Sequence, residues 1–313
     1  MVTLIDGSEA SLRKYLAALP GVDKVGADQR AAMLSTRSIK TTSKSWAIDM
    51  AIRMVDLTTL EGADTAGKVR AICAKAVHPD PTDFSVPSVG AVCVYNDLVK
   101  IARESLNLNG GSHIPVAAVT TAFPSGRASL KVKIQDTQDA LHDGATEIDM
   151  VIDRGAFLSG KFGLVFDEII AIKEVCGNRA QLKVILETGE LTTYDNVRKA
   201  SFIAMLAGAD FIKTSTGKVS PAATPPVVLV MLEAVRDYYL QTGMRIGVKA
   251  AGGIRTTKDA IKQLVLVNEV AGPEWLNPHL FRIGASALLN DLLMQRMKAA
   301  SGFYSGSNYV TLD

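Results

Sequence analysis

Two lysines in this 313-residue chain stand where an amine could act as a nucleophile. The first, Lys213, closes the apolar run of Asp210-Phe-Ile-Lys-Thr-Ser-Thr-Gly217 and is followed at once by Lys218. Lysine is rarely fully buried. At the end of a buried strand it loses hydration, its charged form is disfavoured and its pKa falls. The neutral amine that results can attack a carbonyl and form a Schiff base. The hydroxyls of Thr214, Ser215 and Thr216 and the amides around Gly217 could cradle a phosphate, with Lys218 as a point-charge partner. Taken alone, such a lysine more often reaches solvent or an ion pair.

The second lysine changes that balance. In Ile246-Gly-Val-Lys-Ala-Ala-Gly-Gly-Ile-Arg255 another short apolar strand ends in Lys249 and runs into Gly252 and Gly253. Two lysines at the ends of neighbouring parallel strands repel each other when both are charged, and this lowers the pKa of one of them. The glycine pair by itself reads as an ordinary strand-to-helix turn, although glycine also lets backbone approach a ligand closely.

The elements that would hold these lysines form a regular series. From Trp46 onward, short apolar runs alternate with amphipathic stretches, as repeated βα units do. The expected strands are 51–57, 90–95, 115–121, 147–152, 182–186, 211–213, 246–249 and 281–283. With helices between them, the count matches a (β/α)8 TIM barrel over residues 46–300. A dinucleotide-binding sheet would carry a Gly-rich turn after its first strand, and Asp56-Leu-Thr-Thr-Leu60 holds none. Residues 1–45 read as an N-terminal helical extension, either a cap over one barrel end or a loose arm, and 301–313 as a flexible C-terminal tail. In such barrels active sites gather at the C-terminal strand ends. Asp56, Cys93, Asp149, Lys183, Lys213, Lys249 and Gly284 all fall there. Gathered in one pocket, these polar groups can pair with one another instead of being isolated, costly burials.

Composition is compatible with this picture. Hydrophobic residues make up 48% and aromatics 6%, as suits a Val/Ile/Leu/Ala core around a parallel sheet. Thirty-four basic against 32 acidic residues leave +2, which gives no reason to expect nucleic acid or an anionic membrane as partner. Cys73, Cys93 and Cys176 are too scattered for a disulfide framework or zinc site, and the four histidines form no metal-ligand pattern. No secretory leader or membrane-length apolar run is visible, so the expected compartment is the cytoplasm.

Phe211-Ile-Lys-Thr-Ser-Thr-Gly-Lys218, Gly247-Val-Lys-Ala-Ala-Gly-Gly-Ile-Arg255 and Thr146-Glu-Ile-Asp-Met-Val151 together resemble the deoxyribose-phosphate aldolases, class I Schiff-base aldolases. Met54-Val-Asp-Leu-Thr-Thr-Leu60, Ala91-Val-Cys-Val-Tyr95, Leu182-Lys-Val-Ile-Leu-Glu-Thr-Gly-Glu190 and Phe281-Arg-Ile-Gly-Ala-Ser286 extend the resemblance over residues 45–300. It implies reversible cleavage of 2-deoxy-D-ribose 5-phosphate to acetaldehyde and D-glyceraldehyde 3-phosphate, with no cofactor and no metal. By this resemblance Lys213 is the Schiff-base lysine, Lys249 the neighbour that tunes it or aids proton transfer, and Asp149 the acid/base group acting with a bound water. Asp56 would orient a lysine, and Lys183 would pair with Asp149 or tune its charge. Gly217, Lys218, Gly252, Gly253, Arg255, Gly284 and Ser286 would bind the phosphate. The implied partners are small phosphosugar and aldehyde substrates and further copies of the chain, as a dimer or tetramer.

Two positions depart from the family pattern: Ala250 stands where proline often follows the second lysine, and Ala287 where a second serine often follows Ser286. The latter removes one phosphate hydrogen bond, worth roughly 1 kcal/mol. Many members end in a tail tyrosine that reaches the active site; Tyr309 is the nearest analogue here and Tyr304 another. Another class I phosphosugar aldolase, or a non-catalytic phosphosugar-binding barrel, is the alternative; a binder has no need of two strand-end lysines held close.

Overall fold

The computed structural model describes residues 4–306 and 310, apart from the side chain of Thr41. Eight parallel strands close into a barrel in chain order: β1 Val55–Thr58, β2 Ala91–Tyr95, β3 Val116–Thr120, β4 Glu147–Val151, β5 Gln181–Ile185, β6 Phe211–Lys213, β7 Gly247–Ala251 and β8 Phe281–Ala285, with β8 paired to β1. Around it run α4 Ala66–Val77, α5 Val99–Leu108, α6 Leu130–His142, the short α7 Arg154–Leu158, α8 Phe162–Cys176, α9 Tyr194–Leu206, α10 Pro225–Thr242, α11 Thr257–Val270 and α12 Leu288–Ser301. Strands β2, β3 and β4 are apolar or buried along their length because both faces are covered, the outer face by helices and the inner by the barrel filling. The helices begin and end where local chemistry dictates. Thr256 and Asp259 form a reciprocal capping box at the start of α11, and α10 opens on Pro225 and closes on Gly243 in left-handed conformation. Among the described residues no helix is long and apolar enough to cross a membrane.

The N-terminal segment is packed against the molecule, not a loose arm. It forms α1 Glu9–Ala18, α2 Lys24–Ser35 and α3 Thr41–Met54. Helix α1 lies on α8 and α9, and α2 on α10 and α11. Leu12 and Leu16, then Ala27, Ala31 and Leu34, are buried at helical spacing. Asp28 accepts from the Tyr194 hydroxyl at 2.6 Å, and Arg30 pairs with Glu233 at 2.6 Å. The expected first strand, 51–57, is displaced: α3 continues to Met54 and β1 starts at Val55. Buried Ala47, Ile48, Ala51 and Ile52 fit one helical stripe, and a short apolar run of this kind reads equally as strand. The single turn α7 was not expected; the Asp153 side chain caps it by accepting from Ala156 N at 2.9 Å.

The barrel interior is divided in two. On the β2–β3 side, Leu60, Cys93, Ala117 and Val119 form a small apolar cluster, with Tyr95 and Phe123 against it. The remaining strands send charged groups inward. Room for them comes from glycine: Gly247 has no side chain because the Phe211 ring fills that space, and a Cβ on Gly284 would lie 3.2 Å from Lys249 Cε.

Candidate active site

Lys213 and Lys249 are register partners on β6 and β7, so alternation sends both side chains into the barrel at the same height. Both amines meet one oxygen: Asp149 Oδ2 accepts from Lys213 Nζ at 2.6 Å and from Lys249 Nζ at 2.8 Å. Lys249 Nζ is also 2.5 Å from Asp56 Oδ2. Asp56 Oδ1 accepts from Arg282 Nη1 at 2.6 Å, and Arg282 Nη2 donates to Glu147 Oε1 at 3.0 Å. Glu147 Oε2 accepts from Lys183 Nζ, which lies 3.5 Å from Asp149 Oδ1 and so returns to the start. The six groups Asp149, Lys249, Asp56, Arg282, Glu147 and Lys183 therefore form a closed ring of alternating sign. Three carboxylates balance three cations. Lys213 hangs from this ring as a seventh group, with Asp149 as its one carboxylate among the described residues.

All seven are buried. A buried charge is tolerated only when paired and hydrogen-bonded, and opening a buried pair costs about 3–5 kcal/mol. The neutral ring meets that condition without Lys213. A proton on Lys213 would leave one uncompensated positive charge in a dry interior, and the acid–base character of the groups follows from this. Burial pulls Lys213 below its ordinary value; the Lys249 charge adds to the effect while Asp149 opposes it. Burial alone would also lower Lys249, but Asp149 and Asp56 outweigh it and hold Lys249 well above the usual lysine range. Burial pushes Asp149 and Asp56 up, yet the surrounding cations keep both well below the usual carboxylate range. The two amines are thus pushed apart: Lys213 gives up its proton more readily than an ordinary lysine, and Lys249 holds its proton more firmly. Burial raises the Cys93 thiol, a small filler of the apolar half.

Of the seven groups, Lys213 alone reaches the cavity at the C-terminal strand ends, which has a volume of about 360 Å³. Gly217, Lys218, Gly252, Gly253, Arg255, Gly284 and Ser286 all line it, so the residues expected at a phosphate site are brought together with the expected nucleophile. Gly217, Gly252 and Gly253 have φ near +80°, which a side chain would strain. The N-terminus of α12 opens on the cavity through Ser286 and Ala287, and its N-cap, Ala287, offers no side-chain acceptor. Asp149, bonded to Lys213, is buried and lies outside the lining.

Some expectations are corrected. The hydroxyls of Thr214 and Ser215 do not face the cavity: both donate to the Ala251 carbonyl, at 3.0 and 2.5 Å. Buried hydroxyls must find acceptors, and here they tie the loop after β6 to β7. Thr216 lines the cavity but donates to Glu187 Oε2 at 2.5 Å. Tyr304 is exposed against the Lys298 amine, 3.5 Å from ring centre to nitrogen, and does not line the cavity. Tyr309 lies outside the described residues. Lys68 and Glu61 were not foreseen as cavity residues. Lys68 is held by Asp64 at 2.8 Å, and Glu61 pairs with Lys218 at 2.8 Å. Glu147 and Arg282 were also missed as ring members. Each stands two residues before a foreseen inward position, Asp149 and Gly284, so strand alternation places them on the same face. Among the described residues no group of His, Cys, Asp and Glu is arranged to hold a metal.

Residues 50–294 match the model of the DeoC/LacD family aldolases. The chain is 45% identical over 288 residues to the deoxyribose-phosphate aldolase of Homo sapiens, covering 88% of this chain and 89% of that protein. It is 47% identical over 247 residues to the putative deoxyribose-phosphate aldolase of Caenorhabditis elegans, 77% and 79% of the two chains. Among solved structures, a putative deoxyribose-phosphate aldolase from Toxoplasma gondii ME49 superposes with a TM-score of 0.72 at 25% identity, over 84% of this chain and 97% of that one. The deoxyribose phosphate aldolase from Aeropyrum pernix, described as tetrameric, gives 0.62 at 25% identity over 88% and 99%.

Proposed function

The chain belongs to the DeoC/LacD family aldolases, and from that premise we propose that it cleaves 2-deoxy-D-ribose 5-phosphate reversibly through an imine on Lys213. The observation that carries this reading is that the one amine left outside the balanced charge ring is also the one that opens on the cavity, and burial lowers its pKa. The Lys213 amine attacks the C1 carbonyl of the open-chain sugar, and loss of water gives a protonated imine. Asp149, through a bound water, takes the proton of the C3 hydroxyl. The C2–C3 electron pair moves into the imine as the bond breaks, leaving an enamine on Lys213 and releasing D-glyceraldehyde 3-phosphate. Protonation of the enamine carbon and hydrolysis return acetaldehyde and the free amine. The iminium is itself the electron sink, so the chemistry calls for no metal.

The substrate phosphate lies against Gly217, Gly252, Gly253, Gly284 and Ser286, with Lys218 and Arg255 as cations. Support comes from the wall of the cavity, which carries Lys68, Lys218 and Arg255 against Glu61, and from the helix N-terminus that opens on it. Ala287→Ser supplies both an N-cap and a phosphate donor. It is expected to lower KM for the phosphorylated sugar about fivefold with kcat unchanged, and to leave unphosphorylated deoxyribose unaffected. Steady-state kinetics on the two sugars check this.

Self-association as a dimer or tetramer belongs to the same reading and is supported by the tetrameric Aeropyrum pernix relative. A reducing cytoplasm is supported by three buried free thiols, Cys73, Cys93 and Cys176. Incubation with 2-deoxy-D-ribose 5-phosphate tests the activity: acetaldehyde release is expected. Absence of acetaldehyde together with cleavage of a different phosphosugar would overturn the substrate assignment.

A further inference from the structure

A second cavity of about 360 Å³ opens at the opposite end of the barrel. Arg53 precedes β1, His279 precedes β8, and Thr146 and Gln181 stand where β4 and β5 begin, so this is the N-terminal face of the sheet. Its charged and titratable lining consists of Arg53, Arg282, His113 and His279 against a single acid, Glu147. That acid is already bonded to Lys183 and Arg282. The cavity is therefore electropositive, and two members of the charge ring, Glu147 and Arg282, line it.

The Arg282 guanidinium has five N–H donors. Three are engaged, with the Pro278 carbonyl, Asp56 and Glu147. Among the described contacts this leaves one N–H on each terminal nitrogen. The approach to Nη1 is kept open by Gly90, where an added Cβ would lie 3.2 Å from Nη1 and 2.6 Å from the Arg53 carbonyl. A planar fork with two unused donors, flanked by a second arginine and two histidines, matches an oxyanion.

We infer that this basal cavity binds a small multiply charged oxyanion of the phosphate type, held by Arg282, Arg53 and His279, and that the bound anion slows turnover at the other end of the barrel. The coupling is electrostatic. An anion on Arg282 competes with Asp56 and Glu147 for the guanidinium and adds negative charge to a ring that is balanced without it. Added negative charge favours the protonated form of Lys213, the amine outside the balanced ring, and a protonated Lys213 cannot attack a carbonyl. Anion at the base thus lowers kcat, whereas anion at the mouth competes with the substrate phosphate and raises KM.

Inorganic phosphate separates the two effects, with chloride at matched ionic strength as control. In the wild-type chain phosphate is expected to raise KM and also to reduce kcat, by about fivefold at saturation. The Arg53→Ala/His279→Ala variant, altered only at the rim, is expected to keep kcat and KM within about twofold of wild type without phosphate and to lose the kcat effect while retaining the KM effect. Calorimetric titration should show two phosphate sites in the wild-type chain and one in the variant, a readout that does not depend on the chain being an aldolase. Purely competitive inhibition of the wild-type chain, a kcat effect that survives in the variant, or a single phosphate site in both proteins would each overturn the inference.

Discussion

Replacing Lys213 by leucine is expected to reduce aldol cleavage by about 10⁴-fold or more while leaving the barrel folded. The loss is large because the imine is the electron sink for the breaking C2–C3 bond, and no neighbouring amine can take over. Lys249 lies on the same oxygen of Asp149 but is firmly protonated and does not line the cavity. The fold survives because the ring of three carboxylates and three cations is complete without Lys213. Removing one buried partner ordinarily costs about 3–5 kcal/mol by leaving a charge unpaired, but here the group removed is the one whose charge the balanced ring does not need. Near-normal thermal unfolding together with absent turnover is the expected pair of results. A variant retaining activity within about tenfold of wild type would show that another group carries the carbonyl.

Lys249→Leu acts in a different way. It leaves Asp56, Glu147 and Asp149 against Lys183 and Arg282, three carboxylates with two cations, and the group able to make up the difference is Lys213. Lys213 then holds its proton as the missing ring cation. In the wild-type chain its value is depressed by burial, with Lys249 adding to the depression; without Lys249 it rises. The sign is fixed: activity requires the neutral amine, so the ascending limb of the pH–rate profile moves to higher pH. Each pH unit of displacement lowers turnover on the ascending limb about tenfold, so the variant is slowed at neutral pH and partly recovered in alkali. An unchanged pH profile, whatever the loss in rate, would show that Lys249 does not set the state of Lys213.

The lysines were legible in the sequence because each follows an apolar run and is followed by small residues, and the βα periodicity places both on neighbouring strands of a closed sheet, although β7 runs two residues past Lys249. Their pairing with Asp149 and Asp56, and that of Lys183 with Asp149, was also within reach, since polar residues in buried strands have to find each other. The ring as a ring was not. Its closure depends on Glu147 and Arg282, which look like ordinary strand-entry charges until register and alternation put them inside the barrel. Hydroxyl chemistry misled in the other direction: Thr-Ser-Thr before a glycine suits phosphate, but Thr214 and Ser215 are drawn to the Ala251 carbonyl by the need to satisfy a buried loop. Lys68 carried no signal at all, because its position against the cavity is set by how α4 packs on the barrel and not by any local pattern.

The most direct test is to reduce the reaction with acetaldehyde by borohydride and locate the modified residue by peptide mass spectrometry. Lys213 as the one amine of the cluster that reaches the cavity predicts a single N-ethyl-lysine at position 213, formed in the wild-type chain and missing from Lys213→Leu. An N-ethyl group on Lys249 instead, or no adduct in a chain that still cleaves deoxyribose phosphate, would contradict it.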